Sequence, residues 1–182
     1  MYSGFKTSQG DNINVTRYKD QNILSLTDLT GCEFNYRPSS DTNYVIIEVA
    51  FEATVKDSLG LIHFWSELEI NTQNGTFNEL KLDDGNSYPS RMNWGTNGAL
   101  YGGRLVHRQK IIIADSGTDD DYDNSLVNWS QMRRYRLRIE AYSSSYEMRV
   151  NRNAHWNNTS ASNRIPPMIT ITSYGSRSYV EQ

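Results

Sequence analysis

The stretch that most constrains the fold of this chain is residues 34–49. An aromatic segment, Phe34-Asn35-Tyr36, runs into Arg37-Pro38; a turn of Ser39, Ser40, Asp41, Thr42 and Asn43 follows, and a β-branched run starts at Tyr44. Pro38 fixes its own φ and has no N–H to give to a central ladder, so the first strand stops there. The Ser39, Ser40, Asp41 and Asn43 side chains hydrogen-bond nearby backbone in place of a sheet partner, which closes a turn. The second strand then alternates. Val45, Ile47, Val49, Phe51, Ala53 and Val55 share one face, while Glu48, Glu52 and Thr54 share the other. A half-buried antiparallel strand needs this pattern.

The rest of the chain reads in the same way. A strand beginning at Ile23 leads past Thr30 and Gly31 to Phe34 and Tyr36. Residues 61–70 put Ile62, Phe64, Leu68 and Ile70 on one face and His63, Trp65, Glu67 and Glu69 on the other. The Gly60-containing turn at 56–60 predicts that this strand forms a hairpin with the one before it. A short strand over 76–82 lies between two turn signals, and residues 86–103 read as a long loop or bulged edge. Strands follow over 105–114, 134–141, 146–150 and 168–174, the second being the cleanest: Tyr135, Leu137, Ile139 and Ala141 inward, Arg134, Arg136, Arg138 and Glu140 outward. About eight strands with regular turns and no helical stretch predict an all-β, two-sheet antiparallel sandwich, with a jelly roll as the favoured winding. Residues 1–22 read as an N-terminal arm or irregular strand, and 23–182 as the jelly-roll domain.

Composition narrows the class. With 182 residues the chain is long enough for one well-filled core. Its 12 Tyr against 5 Phe suit a β protein with hydrogen-bonding surfaces. A net charge of −3 gives no bulk attraction to nucleic acid or acidic membranes, and no apolar run approaches the roughly 20 residues a membrane span needs. The lone Cys32 excludes an intrachain disulfide and reads as a small buried apolar residue. The first residues lack the charged and apolar regions of a signal peptide, so synthesis in a cytoplasm is expected.

No strong catalytic or metal motif emerges, and no cofactor is expected. The acidic loop carrying Asp119, Asp121 and Asp123 alternates carboxylates as a hard cation would require. It lacks the central Gly and distal Glu of a calcium loop, and reads more simply as a solvated loop. His63, His107 and His155 lie far apart in no ligand pattern. The pairs Glu67/Glu69 and Glu48/Glu52 share strand faces as a glycosidase pair could, or form the wet side of a sheet. Arg134, Arg136 and Arg138, with Arg133 before them, form the strongest charge feature. The acidic chain, and Tyr135 on the opposite face, favour a solvated face or a polar contact with Glu48, Glu52 or Glu69 over nucleic-acid binding. Trp65 lies on the polar face of its strand. Trp94, Trp129 and Trp156 sit in Asn-rich, loop-like contexts. Large aromatics beside amides serve protein interfaces or sugar stacking, or cap the ends of a core.

The 34–49 block resembles the strand, Pro-Ser-Ser turn and strand that open small jelly-roll modules of tailed-phage fibres and other virion surface proteins. The resemblance extends over about 23–174 and includes the 63–70 and 135–141 strands and the ending Arg164-Ile165-Pro166-Pro167-Met168-Ile169-Thr170-Ile171. The chain differs in Asn43-Tyr44, where the family has a Ser-Lys pair, and in an insertion-like segment at 83–103. The resemblance implies a tumour-necrosis-factor-type jelly roll that associates as a trimer, with other virion proteins and host surface glycans as partners. The implied role is a non-enzymatic virion protein, either a tail-fibre or appendage component in host attachment or a capsid decoration protein. A cellular carbohydrate-binding β-sandwich and a glycan-cleaving enzyme are the alternatives.

Overall fold

The computed structural model describes residues 4–6, 12–14, 21–23, 25–55, 60–70, 75–81, 90–94, 101–115, 118–141, 148–151 and 167–175. The long strands arise where the alternation is longest: β6 (Thr42–Val55), β7 (Gly60–Glu69), β10 (Tyr101–Ile113), β12 (Arg133–Ala141) and β14 (Met168–Gly175). Shorter strands lie between and before them: β1 (Gly4–Lys6), β2 (Asn12–Asn14), β3 (Gln21–Ile23), β4 (Thr27–Asp28), β5 (Phe34–Tyr36), β8 (Phe77–Glu79), β9 (Ser90–Trp94), β11 (Leu126–Val127) and β13 (Met148–Val150). One 3-10 turn, η1 (Tyr122–Asn124), precedes β11.

Two six-stranded sheets contain all of these except the pair β1 and β2. In the first sheet β10 runs along one edge of β6, and β13 and β14 share the other; β11 extends the β10 side and β3 the β13 side. In the second, β12 lies between β7 and the short β4 and β5, and β8 and β9 pair with β7. Every pairing is antiparallel except the short β10 and β11 contact. Following the chain, β3 lies in the first sheet, β4 and β5 in the second, β6 in the first, β7 to β9 in the second, β10 in the first, β12 in the second and β14 in the first. That alternation, which brings the late strand β14 against β6, closes the chain into a two-sheet β-sandwich.

The inward rows fill the space between the sheets. Val45, Ile47, Val49 and Phe51 of β6 with Leu105 and Ile111 of β10 face Phe64 and Leu68 of β7 and Tyr135, Leu137 and Ile139 of β12, all buried. Full burial of each aliphatic or phenyl side chain contributes about 1.5–3 kcal/mol. Phe34 closes on Tyr135 at 5.1 Å between ring centroids, and Phe51 on Phe64 at 5.8 Å. Cys32 is fully buried among them, and burial pushes its thiol well above the ordinary cysteine range.

Several local expectations are corrected. The 45–55 and 61–70 strands form no hairpin: β6 and β7 belong to different sheets. A turn signal marks where a strand ends, and in this sandwich the next strand crosses to the opposite sheet. The segment at 86–103 contains β9, paired with β7 from Gly60 to Phe64, and the first residues of β10. Twelve strands in the two main sheets replace the eight expected, because the 23–36 region breaks into three short strands and β9 and β11 form where loops were read. Within 1–22, β1 and β2 pair with each other, and β3 joins the first sheet through β13.

Candidate functional site

The arginine row lies on the outer face of the second sheet, and its charge is neutralised within the chain. In register, Arg136 of β12 stands opposite Glu67 of β7, and Arg138 opposite Asp28 of β4. Arg136 Nε donates to Glu67 Oε2 at 2.6 Å and Arg138 Nη1 to Glu67 Oε1 at 3.1 Å. Arg138 Nε also reaches Asp28 Oδ1 at 3.1 Å. Arg134 divides its guanidinium between Glu33 at 3.2 Å and Glu69 at 3.3 Å. The Phe77 ring of β8 lies under two of these cations, 3.9 Å from the Arg136 guanidinium and 4.8 Å from that of Arg134. Glu67 and Glu69 are buried beneath this layer, so truncating either would leave charge uncompensated in a partly desolvated place. Glu48 and Glu52, expected as partners, belong to the first sheet and cannot reach these arginines.

The outer face of the first sheet is different. Register places side chains in rows across β10, β6 and β14: Val106, Ala50 and Met168; Arg108, Glu48 and Thr170; Lys110, Ile46 and Thr172; Ile112, Tyr44 and Tyr174. Val106 is 49% exposed and Met168 53%. The Tyr44 and Tyr174 rings stack at 4.5 Å, with Lys110 Nζ 5.0 Å above Tyr44. Arg108 and Glu48 approach only to 3.9 Å and are well exposed, a pair worth little to stability. Two rows that carry charge thus lie between two apolar rows on an open face.

The four tryptophans do not form one surface. Trp65 is half-buried on the outer face of β7, its ring edge-on to His63 at 5.8 Å. Trp129 is a core residue: it is 1% exposed, its Nε1 donates to the Tyr36 carbonyl at 2.9 Å, and its ring meets Tyr36 edge-on at 5.7 Å. It therefore caps the sandwich and presents no face to a sugar. The Trp94 backbone pairs with Gly60 at the end of β9; its side chain, and Trp156 altogether, lie outside the described residues.

Trp129 underlies a cleft of about 630 Å³ at one end of the sandwich. Three segments meet there: the 37–43 turn between β5 and β6, residues 113–115 at the end of β10, and residues 128–130 leading into β12. The turn is built as its sequence predicts, with Thr42 N donating to the Ser39 carbonyl and the two hydroxyls 2.9 Å apart. Tyr36 Oη meets Ser173 Oγ at 2.5 Å, tying β5 to β14 across the two sheets near this end. Pro38, Ile113 and Ala114 give the cleft an apolar floor, with Trp129 packed beneath, and Ser40, Asp41, Asn43, Asp115 and Ser130 are exposed around it. The Pro-Ser-Ser turn was visible in the sequence. The segments it would face were not, because they arrive through strands of both sheets.

Two other polar groups have structural roles. Ser66 Oγ lies 2.6 Å from His107 Nε2 and 2.8 Å from Tyr135 Oη, a network joining β7, β10 and β12 across the core. It has the look of a nucleophile beside a base, but Ser66 is 2% exposed and His107 4%, out of a substrate's reach. Burial lowers the His107 pKa to about 4 and pushes that of Tyr135 well above the usual phenol range. In the acidic loop, Asp120 accepts from Arg133 at 2.9 Å, Tyr122 at 2.8 Å and the Asn128 N–H at 2.7 Å. Its burial raises the carboxyl pKa, but these bonds and the Arg133 charge outweigh that and hold it low. Burial and the Asp120 contact push Tyr122 up to about 12. Asp121 accepts from the Asn124 side-chain amide. Among the described residues no group of three or more His, Cys, Asp or Glu is placed to hold a metal ion.

Comparison with protein-family models, with curated proteins and with solved structures finds no match to this chain, so the sandwich and its surfaces carry the functional reading by themselves.

Proposed function

We propose that the chain is a non-enzymatic surface protein of a tailed-phage virion. It assembles as a homotrimer of jelly rolls and serves either as a tail-fibre or appendage component in host attachment or as a decoration protein on the capsid. The observation that carries this reading is the open outer face of the first sheet. The row of Val106, Ala50 and Met168, with the stacked Tyr44 and Tyr174 beyond it, leaves large apolar groups in water. Copies of the chain arranged about a three-fold axis can cover them, each setting this face against a different surface of its neighbour, and the Arg108, Lys110 and Glu48 rows between supply charges of both signs for that heterologous contact.

Solution mass tests the assembly. Light scattering should return near three times 20.9 kDa, and Met168→Glu, which puts a charge into the apolar row, should shift the mass toward one copy. A wild-type chain of single-copy mass would sink the trimer. Adding the protein to empty capsids and to host cells separates the two virion roles: a decoration protein raises the capsid melting temperature, and an attachment protein binds cells.

A further inference from the structure

The cleft at the end of the sandwich has a chemistry that the trimer face does not use. Its rim mixes side chains that only accept hydrogen bonds (the Asp41 and Asp115 carboxylates), one that only donates (the Arg37 guanidinium), and groups that do both (Ser40, Asn43, Asn128 and Ser130). Among the described residues, the Arg37, Ser40, Asn43, Asp115 and Ser130 side chains enter no hydrogen bond or ion pair with one another or with the core. Arg133, Arg134, Arg136 and Arg138 of the second sheet, by contrast, are each paired with a carboxylate. The capacity of this rim is therefore spent on water, and a ligand that replaces the water must offer donors and acceptors side by side.

We propose that this cleft binds a neutral saccharide. Each sugar hydroxyl donates once and accepts up to twice, so neighbouring ring hydroxyls can donate to one carboxylate while accepting from an amide or guanidinium. The apolar floor of Pro38 and Ile113 meets the C–H face of the ring. The volume, about 630 Å³, lies within the roughly 300–1,000 Å³ typical of small-ligand sites. Charge decides between sugar classes: one guanidinium stands against two carboxylates, so a sialylated or phosphorylated glycan meets net repulsion. The two walls are held in place from below. The Trp129 indole is bonded to the Tyr36 carbonyl, and the Ala114 N–H to the Val127 carbonyl at 2.9 Å, so the cleft is formed before ligand arrives. This inference deepens the attachment role by giving it a ligand class, and it does not depend on the number of copies.

The test uses the full chain with lactose, cellobiose, maltose and chitobiose as neutral probes and sialyllactose as the anionic one. Saturation-transfer NMR and the shift of the Trp129 indole N–H report binding. At least one neutral disaccharide should bind, at least tenfold more weakly to Asp115→Ala and to Asn43→Ala, and not at all to Ser40→Trp, which fills the cleft from an exposed position. Met168→Glu should bind it as the wild type does. Absence of binding across the panel, binding indifferent to the three cleft substitutions, or preference for sialyllactose would each overturn the proposal. Solution mass is read separately. A chain that binds sugar as a single copy removes the trimer and keeps the cleft, and a trimer blind to sugar does the reverse.

Discussion

His107 shows how one buried side chain can set the acid tolerance of the whole sandwich. Its imidazole packs on Phe64 at 5.6 Å between ring centroids and bonds to Ser66, a place that accepts the neutral ring and not the cation. Burial holds its pKa near 4 in the folded protein, against 6.5 for the free side chain. Between those values the unfolded chain binds a proton that the folded chain refuses, so stability is complete above pH 6.5 and declines as pH falls toward 4. The difference in pKa corresponds to about 3 kcal/mol at the acid end of the window. Urea unfolding at pH 7 and pH 4.5 should show this loss in the wild type, and His107→Phe should flatten it. An equal acid loss in both proteins would place the titration elsewhere. His107 was legible in the sequence only as one of three scattered histidines. Its inward position follows from alternation along β10, and its partners follow from a sheet-to-sheet packing that no local pattern encodes. Trp129 is a similar case: its Asn-rich neighbours left open an interface residue or a cap on the core, and the Tyr36 carbonyl whose bond goes with the cap lies 93 residues away.

Among the elements, those whose alternation ran longest were the ones correctly read. β6, β7 and β12 emerged with the faces the sequence assigns, since a one-residue slip would turn every apolar side chain outward. Of the short strands, β5 and β8 were read, because a proline or turn signals bound them, whereas β3, β4 and β9 were not resolved, because two to five residues carry too little periodicity to separate a strand from a loop. Pairing was less legible than existence, as the β6 to β7 crossing shows. β14 supplies a sharp test of how closely its end is fitted. Gly175 pairs with Thr42 beyond a register shift, and a Cβ there would stand 2.8 Å from the Asp41 carbonyl oxygen and 3.2 Å from Asp41 Oδ2. Because the nearer atom is backbone, Gly175→Ala must displace the 39–42 turn, at a cost of about 1–3 kcal/mol. Equilibrium denaturation measures this, and an unchanged midpoint would mean that the turn yields freely. The same substitution should distort the cleft wall formed by Asp41 and Asn43.

At the scale of the molecule the two sheets divide the work. The second sheet covers its outer face with its own ion pairs and Phe77; the first leaves Val106 and Met168 to the solvent. If copies of the chain cover that face, folding and association are linked, and the melting temperature should rise with protein concentration. Scanning calorimetry over a hundredfold range of concentration would detect this rise, and Met168→Glu should abolish it. A melting temperature independent of concentration in the wild type would count against a linked assembly. The all-β class and the sandwich were legible in the sequence because alternation is a local property. The cleft was half legible: its Pro-Ser-Ser wall is local, whereas its opposite walls come from residues more than 70 positions later, brought near by the winding. That winding also has a temporal consequence. β6 sits at the centre of its sheet, yet the strands on its two edges are translated some fifty and more than a hundred residues after it. During synthesis β6 waits with bare edges, able to pair with the β6 of a neighbouring nascent chain. Polysomes that space their ribosomes widely, or a chaperone that shelters residues 42–55, would then raise the yield of correctly wound protein more than any change to the finished surface.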